Sequence, residues 1–250
     1  MEVRLDGKVA LVTGASKGIG RAIAAQLAAS GARVMLSSRK EDALAEAAST
    51  MDGEVAWFAA NAGEPDAAEA CVAATVERFG AVDVLVNNAA TNPYAGPLIG
   101  LDRPRAEKTF QVNVLGPLVW SQACWWASME RSGGVILNVS SIGGLRGGSS
   151  SLGWYSMTKA ALLHLTQSLA GELGPGVRVN AICPGIVKTD MARALWETDE
   201  DGVARTYALE RLGVPDDVAT MAVFLASDAA SWVTGGTFLV DGGALVGGAR

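Results

Sequence analysis

Cysteine, which forms disulfides, and histidine, which together with cysteine binds zinc, are both scarce in this 250-residue chain. The three cysteines, Cys71, Cys124 and Cys183, are odd in number and lie far apart. This spacing fits neither a disulfide framework nor a zinc site. The sequence therefore predicts a reducing, cytoplasmic setting and a protein that binds no metal.

Long apolar runs and an excess of positive charge are also missing. Asp, Lys, Gln or Gly interrupts every apolar stretch before about 18 residues, so no transmembrane helix is predicted. The opening residues 1–6 carry charges and no long apolar core, which argues against a secretory signal. The net charge of −6 argues against a nucleic-acid-binding surface.

What the chain does contain is a regular alternation of short apolar runs and helical patterns. The runs predict strands at residues 8–13, 33–39, 54–60, 82–86, 134–140, 177–183 and 237–241. Helices are predicted at 21–29, 41–50, 65–79, 102–129 with a kink at Pro117, 154–173 and 216–227. This order predicts an α/β fold of one domain, residues 1–250. We expect a Rossmann-type, doubly wound parallel sheet in three α/β/α layers.

A glycine-rich turn separates the first strand from the first helix. Its sequence is Gly14-Ala-Ser-Lys-Gly18-Ile-Gly20. Glycines there let the backbone turn tightly and approach a pyrophosphate, whose charge is favourable at a helix N-terminus. The pattern predicts a dinucleotide site; the alternative is a tight turn that binds nothing.

The end of the second strand indicates which dinucleotide is preferred. An acidic residue near this point typically binds the ribose 2′-hydroxyl of NAD, whereas arginine accommodates the 2′-phosphate of NADP. Ser37 and Ser38 stand in place of an acid, Arg39 follows, and Lys17 in the glycine loop adds a second positive charge. NADP(H) is therefore favoured, NAD(H) remains possible, and the alternative is that both cations are merely solvated.

Tyr155 and Lys159 stand four residues apart on one predicted helix, so their side chains share a face. A neighbouring ammonium stabilises a phenolate and favours proton transfer near neutral pH. The alternative is a solvated pair on a surface helix. His164 is nine residues past Tyr155, on the opposite side of the helix, and is therefore not expected to take part.

Six motifs in this order resemble the short-chain dehydrogenase/reductase family over essentially the whole chain. They are the Thr13–Gly20 loop, Asn87-Asn88-Ala89-Ala90, Asn113, Ser141 with Tyr155 and Lys159, the Pro184–Thr189 segment, and Val240-Asp241-Gly242-Gly243.

The resemblance implies a catalytic role for four of these residues. Tyr155 would be the acid or base, and Lys159 would lower the Tyr155 pKa and hold the nicotinamide ribose. Ser141 would orient the substrate carbonyl, and Asn113 would hold a water that links Lys159 to solvent. The residues expected to bind the cofactor are Gly14, Ser16, Lys17, Gly18, Ile19, Gly20, Ser38, Arg39, Asn61, Ala62, Asn88, Ala89, Ala90, Tyr155, Lys159, Pro184, Gly185, Ile186, Val187 and Thr189.

Three positions depart from the family pattern. The spacing from Ser141 to Tyr155 is one residue longer than is usual, and we expect the extra residue within 147–151. Ser140 is the alternative to Ser141 if the register differs by one. Ala90 replaces a glycine, and Asn61 stands where many members have aspartate against the adenine.

The same resemblance places the substrate beneath a lid at about residues 186–210. Its expected walls are largely apolar: Tyr94, Leu152, Trp154, Met191, Leu195 and Trp196. These favour a medium or large apolar carbonyl or secondary alcohol over a small polar sugar. The alternatives are a 3-oxoacyl thioester reductase and a non-catalytic dinucleotide-binding redox sensor. The family also implies a homotetramer or homodimer.

Overall fold

A computed structural model describes residues 3–147 and 151–247 of the chain. Its centre is one seven-stranded sheet in the order β3-β2-β1-β4-β5-β6-β7, and all its strand pairs are parallel. The strands are β1 (Val9–Thr13), β2 (Arg33–Ser38), β3 (Val55–Ala59), β4 (Val84–Asn87), β5 (Gly134–Val139), β6 (Val177–Pro184) and β7 (Thr237–Val240).

Nine α-helical segments lie in the described part of the chain. They are α1 (Gly18–Ala29), α2 (Glu41–Ser49), α3 (Pro65–Phe79), α4 (Arg103–Phe110), α5 (Gly116–Cys124), α6 (Glu130–Ser132), α7 (Gly153–Leu173), α8 (Glu200–Arg205) and α9 (Pro215–Ala226). One core cluster joins the sheet to α1, α2 and α9, and another joins it to α3, α5 and α7. The predicted doubly wound, three-layer fold is therefore confirmed.

The strand order creates a crevice between β1 and β4. The chain winds outwards from β1 through β2 to β3 and then returns to β4 on the other side of β1. Ligands of such sheets bind outside the carboxyl ends of the strands at this reversal. The glycine loop, the Asn87–Ala90 segment, Ser141 and Pro184 all follow or end parallel strands and therefore lie at this edge.

The long helix predicted over 102–129 is interrupted twice. A π turn at Gln111–Leu115 separates α4 from α5, and a second at Trp125–Met129 separates α5 from α6. Pro117 is the second residue of α5. Because proline has no N–H, the Asn113 carbonyl lacks its usual donor four residues later. The interruption near Pro117 was predicted, whereas the second π turn was not.

Within residues 3–147 and 151–247, no helix is long and apolar enough to cross a bilayer. The three cysteines are free thiols, and all three are buried. Burial raises the pKa of the Cys71 thiol to about 12, so this group stays a neutral packing residue.

Candidate active site

Thr13 and Asn88 tie the ends of β1 and β4 together. The Thr13 hydroxyl oxygen accepts hydrogen bonds from the backbone N–H groups of Asn88 at 3.0 Å and Ala89 at 3.1 Å. The Asn88 amide donates in return to the carbonyls of Thr13 at 2.9 Å and Gly14 at 3.2 Å. These bonds hold the floor of the crevice at the point where the two strands diverge.

The glycine loop leaves room that side chains would fill. Gly14 and Gly18 have φ of 66° and 58°, in the left-handed region that favours glycine. A Cβ on Gly14 would lie 2.9 Å from the Ala89 Cα, and one on Gly20 would lie 2.5 Å from the Gly14 carbonyl oxygen. Only glycine lets the loop pack this closely onto β4.

Helix α1 begins at Gly18 rather than at the predicted Arg21, and its first turn is uncapped. Lys17 is the residue before the helix, and its side chain caps none of the first N–H groups. Unpaired N–H groups and the helix dipole together favour a bound anion. Ser16 and Ile19 lie partly exposed beside them. The loop therefore fits the diphosphate of a dinucleotide.

The exit of β2 runs alongside this loop, since the Ala15 N–H donates to the Ser37 carbonyl at 3.0 Å. Ser37 is buried, Ser38 is partly buried, and Arg39 is exposed. Lys17, the expected second free charge, instead pairs through Nζ with the Asp190 carboxylate at 2.9 Å. That contact holds the pKa of Asp190 below its ordinary value.

The loop after β3, which was expected to contact the adenine, is held by two hydrogen bonds. The Ala62 carbonyl accepts from the Trp120 indole N–H at 3.2 Å, which pins the loop to α5. The Asn61 amide oxygen accepts from the Gly63 N–H at 3.3 Å and stabilises a local turn. Asn61, Ala62 and Ala90 are all partly exposed at this edge.

Tyr155 and Lys159 lie on the first turns of α7. The Lys159 side chain is buried, and its Nζ donates to the Val139 carbonyl at the end of β5 at 2.8 Å. The same Nζ lies 5.7 Å from the centre of the Tyr155 ring. The ammonium thus stands beside the phenol, as the spacing of four residues predicted.

The protonation of this pair differs from the expectation. Burial raises the pKa of Tyr155 to about 12 and lowers the pKa of Lys159 to about 8. Loss of water disfavours each charged form and is the largest cause of both shifts. At neutral pH the pair is therefore a neutral phenol beside an ammonium.

The two serines at the end of β5 have different surroundings. The buried Ser140 hydroxyl donates to the Lys159 carbonyl at 2.9 Å, so its proton is used within the fold. The Ser141 hydroxyl is partly exposed and accepts from the Gly143 N–H at 3.1 Å, which leaves its own proton free to donate. This geometry favours Ser141 over Ser140. The predicted extra residue within 147–151 falls largely outside the described residues.

Asn113 is fully buried at the π turn and connects two parts of the site. Its amide oxygen accepts from the Thr91 N–H at 2.8 Å, and its amide nitrogen donates to the Thr91 carbonyl at 3.0 Å and the Thr158 hydroxyl at 3.1 Å. The amide therefore clamps the loop after β4 to α7, between Tyr155 and Lys159.

The segment expected to form a lid, residues 186–210, starts from a hydrogen-bonded base. Pro184 ends β6, and the Gly185 N–H donates to the Val240 carbonyl at 3.1 Å. The Ile186 N–H donates to the hydroxyl of Tyr207 at 2.8 Å, and Tyr207 is buried. Sequence reasoning missed this anchor, because nothing around Tyr207 in the sequence marks it. Val187 is buried, and Thr189 lies against the glycine loop, with its Cγ2 3.2 Å from where a Gly18 Cβ would be.

The expected pocket walls differ in how firmly they are held. The Tyr94 hydroxyl donates to the Pro97 carbonyl at 2.6 Å, and the Trp154 indole N–H donates to the Ala106 carbonyl at 3.0 Å. Their polar groups are therefore bonded within the fold, and the Arg105 guanidinium lies over the Tyr94 ring, 4.8 Å from its centre. In the lid, Met191 and Leu195 are exposed, while the Trp196 indole nitrogen is buried without a hydrogen-bond partner. Leu152 is partly exposed beside α7.

Comparisons with known proteins agree with this architecture. The sequence profile of a family described as enoyl-(acyl carrier protein) reductase matches residues 14–244. The human dehydrogenase/reductase SDR family member 4 is 40% identical over 247 residues, covering 96% of this chain and 88% of that protein. The L-rhamnose 1-dehydrogenase (NAD(P)(+)) of Azotobacter vinelandii is 43% identical over 255 residues, covering 97% and 98%.

A solved structure extends the similarity to three dimensions. A blue fluorescent protein from a metagenomic library, in complex with NADPH, superposes with a TM-score of 0.89 at 33% identity, covering 96% of this chain and 99% of that one. The chain belongs to the short-chain dehydrogenase/reductase family. It is an NAD(P)-dependent oxidoreductase.

The buried ammonium generates a prediction about stability. The pKa of Lys159 lies near 8 in the folded chain, against an ordinary value of 10.5. Between these values the unfolded chain binds more protons, so stability rises with pH. From pH 7 to pH 9.5, the free energy of unfolding of wild type should rise by about 2 kcal/mol relative to that of Lys159→Met. Urea unfolding at each pH measures this difference.

An exposed lysine provides the matched control for this comparison. Lys108 lies on the surface of α4, and Lys108→Met should follow the wild-type pH dependence. A constant difference between wild type and Lys159→Met across this pH range would show that the ammonium is not destabilised by burial.

Proposed function

We propose that this protein is an NADP(H)-preferring oxidoreductase that interconverts a carbonyl and a secondary alcohol, with Tyr155 as the acid or base. One observation carries the proposal: the buried Lys159 ammonium lies 5.7 Å from the centre of the Tyr155 ring, at the edge of the crevice between β1 and β4. A phenol that is protonated at neutral pH is the form that a general acid requires.

Each residue of the site then has a defined task. A bound nicotinamide dinucleotide supplies or accepts the hydride. Tyr155 donates its proton to the carbonyl oxygen in reduction and takes it back in oxidation. The Lys159 ammonium stabilises the phenolate that remains, because their attraction is strong where water is excluded. Ser141 donates a hydrogen bond to the same oxygen and orients it, and Asn113 positions the loop and α7.

Preference for NADP(H) rests on the exit of β2. Arg39 is exposed there, Ser38 is partly buried, and no acidic residue occupies either position. An exposed guanidinium suits a 2′-phosphate, whereas the carboxylate that would bind a 2′-hydroxyl is missing. The NADPH in the similar solved structure supports the same assignment.

The substrate proposal rests on the charge and polarity of the lid. Two of its three cations are already paired, since Lys188 contacts Glu200 and Arg193 lies 3.0 Å from Asp190. Met191 and Leu195 stay exposed on the same segment. We therefore favour a medium or large apolar carbonyl, reduced with NADPH. Closure of such a lid over substrate excludes water from the reacting groups.

Removal of the Tyr155 hydroxyl tests the catalytic assignment. Tyr155→Phe should lower kcat/KM for carbonyl reduction by about 10²–10⁴-fold, because the proton donor is lost while the ring remains. Tyr94→Phe is the matched control, since the Tyr94 hydroxyl is bonded to Pro97; it should stay within about tenfold of wild type. NADPH oxidation that is equal in Tyr155→Phe and wild type would overturn the assignment. NADPH binding without turnover of any carbonyl would favour the non-catalytic sensor.

A substrate panel tests the proposed pocket. Aromatic and long-chain ketones should give a higher kcat/KM with NADPH than short polar carbonyls do. L-Rhamnose with NADP and a 3-oxoacyl thioester with NADPH are the two comparison substrates, the first because a similar protein carries that name. Turnover restricted to the sugar would contradict the apolar pocket, and turnover restricted to the thioester would establish the 3-oxoacyl alternative.

We also propose that the chain forms a homotetramer or homodimer in the cytoplasm; the location stays a prediction from the sequence. Large apolar side chains are exposed in two separate regions, which would be costly in an isolated chain. The first region is on the helices from α4 to α7, and the second surrounds the edge strand β7. Their exposed members are Phe110, Leu115, Trp126 and Met157 in the first, and Trp232, Leu239 and Val246 in the second.

Light scattering tests this assembly. Wild type should have two or four times the mass of one chain, and Leu115→Glu should lower that mass by placing a charge in the first region. Ile99→Glu is the control, because Ile99 is fully exposed outside both regions. A monomeric wild type would contradict the proposal.

A further inference from the structure

The glycine loop and the lid contact each other directly. The Lys17 Nζ lies 2.9 Å from the Asp190 Oδ2, and the Thr189 side chain packs against Gly18. The other carboxylate oxygen of Asp190, Oδ1, lies 3.0 Å from the Arg193 guanidinium. Lys17 therefore joins the cofactor loop to a carboxylate that belongs to the substrate lid.

Lys17 stands close to the corner where a 2′-phosphate would lie. β1 and β2 are paired with Thr13 opposite Ser37, and the Ala15 N–H donates to the Ser37 carbonyl. Lys17 is two residues past Ala15, and Arg39 is two residues past Ser37. Both cations therefore follow the carboxyl ends of neighbouring strands, and Asp190 contacts one of them.

We propose that Asp190 is a specificity-determining residue, which competes with the 2′-phosphate of NADP(H) for Lys17. This inference rests on the proposed NADP(H) preference. NAD(H) has no 2′-phosphate and leaves the Lys17–Asp190 pair intact. NADP(H) recruits Lys17 and thereby removes one of the contacts between the loop and the lid. Asp190 thus lowers the affinity for NADP(H) selectively and couples cofactor choice to the lid.

The exposure of the pair fits an exchangeable contact. The side chains of Lys17 and Asp190 are 70% and 55% exposed. Ion pairs in water are weak, and a phosphate carrying nearly two negative charges attracts an ammonium more strongly than a carboxylate does. When Lys17 leaves, Asp190 keeps its contact with Arg193, so the lid is loosened from the loop without losing its own internal pairing.

Equilibrium binding of NADPH and NADH to Asp190→Asn tests the proposal. Nucleotide fluorescence or calorimetry should show a two- to fivefold lower Kd for NADPH and an unchanged Kd for NADH. Glu197→Gln is the control, because it removes one negative charge from the same segment without touching Lys17. An equal change in the Kd values for NADPH and NADH would overturn the proposal. The same fall in the Kd for NADPH in Glu197→Gln would also overturn it.

A double-mutant cycle separates competition from a general effect on the lid. If Asp190 acts through Lys17, Asp190→Asn should have no effect on NADPH affinity in a Lys17→Ala background. A persisting effect would contradict the mechanism. Arg39→Ala distinguishes failure of the underlying assignment. Loss of NADPH affinity in Arg39→Ala, with no effect of Asp190→Asn, would reject the role of Asp190 and keep the 2′-phosphate site. An unchanged NADPH affinity in Arg39→Ala would reject the 2′-phosphate site itself.

Discussion

The ammonium of Lys159 is buried where β5 ends, and its Nζ donates to the Val139 carbonyl. A charge without water is costly unless it is hydrogen-bonded, so this contact fixes how α7 sits on the sheet. The chain is packed tightly around it. The Ser140 hydroxyl bonds the Lys159 carbonyl, and a Cβ on Gly144 would lie 2.8 Å from the Lys159 carbonyl carbon. Tyr155, one turn earlier on α7, is thereby held beside the ammonium.

The same packing sets the chemistry of the pair. Burial is the main cause that raises the pKa of the Tyr155 phenol to about 12 and lowers the pKa of the Lys159 ammonium to about 8. In the proposed reaction, the stabilisation by Lys159 would grow as negative charge develops on the phenol. The cost of the buried charge in stability is thus linked to its use in catalysis.

Other parts of the site are held with different strength, in line with what each has to do. The crevice floor is joined by bonds between Thr13 and Asn88, and the base of the lid by the buried Tyr207. The outer lid is held by exposed ion pairs such as Lys17 with Asp190. Buried hydrogen bonds resist opening, whereas exposed ion pairs exchange readily with water or a ligand. A firm base and a weakly held outer segment suit a lid that admits and releases substrate.

The sequence by itself determined the strand and helix order, the glycine loop and the Tyr155–Lys159 spacing, because these depend on local periodicity and on residue types. Only the tertiary structure decided which neighbours each group meets. In the folded chain the Ser140 hydroxyl donates to the Lys159 carbonyl, Lys17 pairs with Asp190, and the Asn113 amide bonds the Thr91 backbone. The pKa of Tyr155 is raised, whereas the sequence analysis expected it to fall. Such contacts join residues far apart in the chain. Burial depends on how whole layers pack, which local pattern does not contain.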